Sequence, residues 1–162
     1  MISIASHGLD NTREFFRGLV ARLRDLRPAW NRVREDFWLL EREQFETEGK
    51  YAPGGHWQAL SPRYAAWKAQ HYPGTKILEL TGRLKRSMTS QTSDTIWETA
   101  PDRMKIGTAV PYAAVHQTGG RVPERPFLVV PPERVRGWAV LIGLYLLGFD
   151  GGMRAFDRRS IF

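Results

Sequence analysis

Leu19-Val-Ala-Arg-Leu23-Arg-Asp-Leu26-Arg-Pro28-Ala-Trp30-Asn-Arg-Val33-Arg-Glu-Asp-Phe37-Trp-Leu-Leu40 carries apolar residues at alternating steps of four and three. At about 3.6 residues per turn, those steps put Leu19, Leu23, Leu26, Trp30, Val33, Phe37 and Leu40 on one side of a helix. The stretch from Leu9 to about Thr47 is therefore expected to be a long helix with one buried face. Pro28 removes a backbone donor and crowds the carbonyl four residues back, so the helix should kink or restart near Arg27. The unbroken spacing across Pro28 favours a kink over a reversal, and Asp10 or Asn11 suits the N-cap. Arg13, Arg17, Arg24, Arg27 and Arg34 fall in one sector about 120° from the apolar stripe. That basic ridge is either a solvated face or a surface turned toward phosphate or an acidic partner subunit.

Outward from this helix the signals become shorter. Gly49 to Gly55, with Pro53 and paired glycines, must be a loop. Ser61 followed by Pro62 is a good N-cap and first helical residue for a short helix ending near His71, and Tyr72-Pro73-Gly74 closes it with turn chemistry. Trp57 and Leu60 are expected to anchor the join before that helix, while Tyr64 and Trp67 suit a core face better than a nucleic-acid stacking platform. Thr81 suits a cap for one turn over Gly82 to Arg86. Ser87 to Gln91, Thr95 to Thr99 and Arg103 to Thr108 then read as three strands of an antiparallel meander. Phe127 to Val130, bounded by prolines, reads as an edge strand, and Pro132 opens a last helix from Glu133 to about Leu147.

The densest cluster of chemically versatile residues is Tyr112-Ala-Ala-Val-His116-Gln117-Thr-Gly119-Gly120, followed by Arg125-Pro126-Phe127-Leu128. Pro111 to Thr118 should form a short helical turn closed by a left-handed Gly119. No second His, Cys or carboxylate stands at a catalytic spacing to it. We read Tyr112, His116, Gln117, Gly119, Gly120, Arg125 and Phe127 as a candidate assembly interface, with His116 and Gln117 either pinning their own loop or meeting a neighbouring subunit.

Together with Trp57-Gln-Ala-Leu60-Ser61-Pro62, Ile77-Leu78-Glu-Leu80-Thr81-Gly82-Arg83-Leu84-Lys-Arg-Ser87 and Ile106-Gly107-Thr108, this motif resembles the phage virion morphogenesis, or tail-completion, family of Mu-like and related tailed phages. The resemblance covers roughly residues 10 to 130. It implies a structural protein acting late in virion assembly, where tail and head are completed and joined. Head-tail connector proteins of similar shape often work as rings, so the resemblance also implies a homo-oligomer, a hexamer among the options, whose partners are other phage tail or connector proteins. Its expected place is the virion, at the tail or head-tail junction, after assembly in the host cytoplasm. Within the resembling stretch Gly82 is expected to adopt a conformation that other residues resist, and Leu84 to pack beneath the sheet. Arg83, Lys85 and Arg86 form a second candidate basic surface.

The whole is expected to be an α+β fold: a long kinked N-terminal helix, a small antiparallel sheet, short helices and a C-terminal helix. One domain should fill residues 1–150, with a mobile or partner-ordered tail at 151–162. The absence of Cys excludes disulfides and thiolate metal sites. His7, His56, His71 and His116 lack the spacing of common metal sites, and no nucleophile elbow, Walker sequence or dinucleotide fingerprint occurs, so neither cofactor nor catalysis is expected. A nuclease or hydrolase would need a cluster such as His56 and His116 with Glu124. The apolar run Trp138 to Phe149 has 12 residues, short of the roughly 20 of a membrane span, and a terminal helix is its simpler role. Twenty-four Lys and Arg against 17 Asp and Glu give a net charge of +7, which favours polyanionic partners. In a ring, such charge would line a lumen that attracts DNA without reading sequence. The alternative is a basic nucleic-acid-binding module acting outside the particle.

Overall fold

The computed structural model describes residues 7–149, and the expected tail at 151–162 lies outside them. Among the described residues the fold is α+β: α1 (His7–Leu23), α2 (Arg27–Glu46), α3 (Pro62–His71), α4 (Arg83–Thr89), β1 (Thr95–Thr99), β2 (Met104–Thr108), α5 (Ala113–Thr118) and α6 (Pro132–Leu146). The two strands form a single antiparallel sheet.

The expected long helix is two helices. The chain leaves α1 at Leu23 and re-enters helix at Arg27, so Pro28 occupies the first turn of α2, where its missing N–H removes nothing. Between them the Leu26 amide donates to the Pro101 carbonyl at 2.8 Å, and the Trp30 indole donates to the Ala100 carbonyl at 3.1 Å. The donor that would have continued the helix is thus taken by the β1–β2 turn. Asp10, expected as a cap, lies inside the first turn of α1.

The periodic stripe is buried along α2, where Ala29, Val33, Phe37 and Leu40 are enclosed. On α1 it is not: Leu19 is half-buried and Leu23 is 53% exposed. Trp57 is buried as expected, but Tyr64 and Trp67, expected in the core, are each 40% exposed and stack on one another with ring centroids 5.4 Å apart.

The first expected strand, Ser87 to Gln91, is instead the end of α4 and the turn beyond it. Hydroxyl-bearing residues look strand-like in sequence, yet here Ser87, Thr89 and Ser90 donate to the carbonyls of Leu84, Lys85 and Arg86, a back-bonding that fits the helix. Leu84 and Met88, one turn apart, are both 1% exposed. Gly82, not Thr81, caps α4, at φ +71°. The meander therefore reduces to a hairpin, tied to α4 by Thr95, whose hydroxyl reaches the Ser87 and Ser90 carbonyls at 3.0 and 2.8 Å. Phe127 to Val130 has no regular secondary structure and pairs with no strand.

Among the described residues, compactness divides the chain into two units: residues 7–33, 99–104 and 133–149, and residues 34–98 with 105–132. In the first, α6 is tied to the end of α1 by Arg22, which donates to the Leu146 carbonyl, and by the Tyr145 hydroxyl, which donates to the Asp25 carbonyl at 2.7 Å. The second holds the site described next.

Candidate functional site

The Arg125-Pro126-Phe127 segment has no regular secondary structure, so side chains must satisfy its backbone. Gln117, on the last turn of α5, does this twice over. Its Oε1 accepts from the Phe127 and Leu128 amides at 3.2 and 3.0 Å, and its Nε2 donates to the Leu128 carbonyl at 3.1 Å. One glutamine thus replaces the missing neighbour of the expected edge strand. α5 can end there because Gly119 adopts φ +77°, and Gly120 continues at φ +131°.

The carbonyl of Pro126 receives two donors, the Trp57 indole at 2.8 Å and the Gln44 amide at 3.1 Å. Gln44 also accepts from the Tyr51 amide at 2.8 Å, which joins α2, the 49–57 loop and the 125–128 segment. Behind this polar hub, Phe45 packs edge-on against Trp57 at 5.4 Å and lies 6.3 Å from Phe127, and all three are buried. Gly49 is forced: a Cβ there would stand 2.6 Å from the Trp57 backbone nitrogen.

Arg125 is 5% exposed, and its guanidinium donates to the Gln58 and Ala59 carbonyls at 2.7 and 3.0 Å. Its amide donates to the His116 carbonyl at 2.8 Å. Burial holds its pKa below the ordinary arginine value. His116 is half-buried, its ring meets the Tyr112 ring edge-on at 5.9 Å, and its Nδ1 has no hydrogen-bond partner. Burial, then the charge of Arg125, pushes its pKa below the usual histidine value.

These residues wall a cavity of about 670 Å³ between α3, the 78–82 segment and the 121–125 segment. Its lining is mostly apolar, with Leu60, Leu80, Tyr112 and Val122 among the contributors. Lys68 also lines it, 4% exposed, donating to the Lys76 carbonyl, and its pKa is lowered by burial. Neither Lys68 nor Arg125 meets a carboxylate among the described residues; the nearby Glu79 is paired with Lys85 at 2.9 Å. Leu78, in the same wall, holds φ +61°, a conformation that costs a branched residue on the order of 1 kcal/mol.

The structure thus places the candidate interface residues at different depths. Arg125 and Phe127 are interior and hold the segment in place, His116 and Gln117 are half-buried, and Tyr112 is 41% exposed at the rim. The basic candidates are also dispersed. Arg27 forks onto Asp25 at 2.8 and 2.7 Å, drawing that carboxyl's pKa down to about 2. Arg83 forks onto Asp94 at 2.7 and 2.6 Å, and Lys85 belongs to Glu79. Arg34 sits over the Trp38 and Trp97 rings at 4.9 and 5.0 Å. Arg86 donates to the Thr81 carbonyl at 3.0 Å, while Arg13, Arg17 and Arg24 are exposed.

The same stretch is recognised by comparison with known proteins. The model of the phage virion morphogenesis family matches residues 9–137. The chain belongs to the phage virion morphogenesis family. It is similar to protein G of Escherichia phage Mu, whose name assigns it to capsid assembly, at 34% identity over 97 residues, 53% of this chain and 57% of that relative. The chain therefore aligns with little more than half the length of that relative. No solved structure matches this virion morphogenesis protein. Sequence reasoning missed its groove because Lys68, Leu78 and Arg121 come together only in the fold. The one local signal was Lys68 a turn beyond Tyr64, on the same face of α3.

Proposed function

We propose that this family member is a structural, non-catalytic component of the virion that completes the tail and joins it to the head, working as a homo-oligomeric ring. Membership of the virion morphogenesis family supports the assembly role. The observation that carries the oligomer is the outer face of α1. Leu9, Phe16, Val20 and Leu23 are 69%, 56%, 46% and 53% exposed, and steps of seven, four and three place them on one side of the helix. A contiguous apolar stripe of this kind marks a protein contact far more often than a solvated surface. A homo-oligomer repeats the same stripe around an axis, and each copy brings it the same apolar face.

Arg13, Arg17 and Arg24 lie about 70° round from that stripe. In a ring they would stand beside the subunit contact and repeat with it, a suitable lining for a lumen that DNA crosses. Assembly would take place in the host cytoplasm, with the protein retained in the virion at the head-tail junction.

Light scattering across a concentration series at two salt concentrations tests the ring. The expected mass is a discrete multiple of 18.6 kDa, reduced to one subunit by Val20→Glu. A Val20→Glu variant with unchanged multimeric mass would remove α1 as the contact. DNA affinity of the oligomer should fall steeply with added salt, and a salt-independent affinity would remove the lumen.

A further inference from the structure

The groove beside α5 has two properties that are seldom found together. Its walls are apolar and its rim is open, since Tyr64, Leu80 and Tyr112 are 40%, 37% and 41% exposed. Its buried polar groups are cationic, because Lys68 and Arg125 both line it at 4% and 5% exposure, and Arg121 adds a third, exposed cation. Buried cations in folded proteins are ordinarily matched by carboxylates. Here backbone carbonyls of Lys76, Gln58 and Ala59 take the donors and carry no countercharge. The one carboxylate in the lining, Glu79, pairs with Lys85, and with Glu48 it acts on Lys68 only as a nearby charge, so Arg121 and Arg125 are left without a carboxylate. His116 adds a polar ring nitrogen that has no partner.

We propose that this groove docks an extended segment of a second, acidic virion protein, one in which an apolar side chain stands next to an Asp or Glu. The apolar side chain enters between Leu60, Leu80 and Tyr112, and the carboxylate faces Arg121 and Arg125, neither of which makes an ion pair among the described residues, with Lys68 beside them. The proposal rests on the assembly role given above and names the chemistry of its partner.

Charge decides against the other occupants. A second copy of this chain carries +7, and residues 150–162 hold more Arg than Asp, so each would bring positive charge to a positive groove. A cleft lined by one sign of charge between low-dielectric walls concentrates the opposite sign, which selects an acidic partner and speeds its arrival. Burial lowers the pKa of both Lys68 and Arg125, and a docked carboxylate would favour their charged forms. Arg125 is held by the Gln58 and Ala59 carbonyls, and the chain after it by Gln117 and the Pro126 hub, so this end of the 121–125 wall is preformed and adds little ordering cost to binding.

The test uses the full chain and three fluorescein-labelled peptides: Gly-Ser-Asp-Phe-Glu-Leu-Asp-Ser-Gly, the same with Lys at each acidic position, and the same with Ser at each apolar position. The acidic apolar peptide should bind with a Kd on the order of 100 µM. Both control peptides should bind about tenfold more weakly or worse. Arg121→Glu and Leu80→Ser alter exposed positions, should keep the wild-type melting curve, and should each weaken binding about tenfold. Equal binding of the three peptides, no binding, or indifference to both substitutions overturns the proposal. In assembling particles, a photo-crosslinking phenylalanine analogue at Tyr112 should capture a different virion protein at an acidic apolar segment. Capture of a second copy overturns the proposal while leaving the ring in place. Peptide binding in solution does not depend on particle entry, so a protein that binds the acidic peptide but never enters particles would overturn the assembly role and not the chemistry of the groove.

Discussion

Glu41 should be worth removing. It lies on α2 beside Leu40, is 0% exposed, and neither of its carboxylate oxygens has a hydrogen-bond partner. Burial pushes its pKa well above the usual carboxylate value. Even in its neutral form, a buried polar group without a partner costs about 1–3 kcal/mol. Glu41→Leu should therefore stabilise the protein by about that amount near the usual carboxylate pH, with some loss because the branched side chain is not a perfect fit. The gain should grow with pH. The folded carboxyl keeps its proton to higher pH than the unfolded one, so above the ordinary value the native state binds more protons and stability falls as pH rises. That fall approaches about 1.4 kcal/mol per pH unit until the folded-state value is reached. Glu41→Leu has no such term, and Glu41→Gln, which keeps a buried polar group, should lose the pH dependence without the full gain. Urea denaturation of the three proteins at a series of pH values measures both quantities. Asp25 and Asp94, whose carboxyls are held low by Arg27 and Arg83, contribute equally to all three curves and cancel in the differences. A Glu41→Leu protein that is less stable than wild type at neutral pH, or a difference that stays flat with pH, would refute the reasoning.

Gln117→Ala removes three hydrogen bonds to the 127–128 backbone and should cost about 2–3 kcal/mol in denaturant unfolding, with faster hydrogen exchange at the Phe127 and Leu128 amides. Gly49→Ala and Gly54→Ala both place a side chain at positive φ, but only the first meets the Trp57 backbone. Melting should show Gly49→Ala several degrees below Gly54→Ala, whose cost is about 1 kcal/mol. His116 should titrate below the ordinary histidine value when followed by NMR. Because its folded-state pKa is depressed, stability should drop as pH falls below about 6.5, and His116→Gln should remove that drop.

What was legible in the sequence was local. Ser61-Pro62 announces the start of α3 because a cap and a first-turn proline act within one turn, and the Ser61 hydroxyl does accept from the Tyr64 amide. Gly119 announces the end of α5 for the same reason. The apolar steps found the buried face of α2, and Gln44 and Glu41 fall in the same sector, which marks them in retrospect as buried polar groups. Pro28 marked an interruption near Arg27, but that it is a restart and not a kink was not legible, because the Leu26 donor is satisfied by Pro101, far along the chain. α4 was missed because its hydroxyl residues bond backward along the helix, which composition does not reveal. The residues from Tyr112 to Phe127 lie near one another in the fold, but which of them face outward depends on Trp57, Gln44 and Gln58, and those contacts are tertiary.

The central claim is that this chain is a building part of the virion. Particles should be purified from infections in which it is present, absent, or supplied as Val20→Glu, and their protein copies counted by quantitative mass spectrometry alongside infectivity. The account predicts a fixed copy number per particle, and non-infectious particles with unjoined heads and tails when the protein is absent or carries Val20→Glu. Fully infectious particles of normal composition made without it would contradict the account.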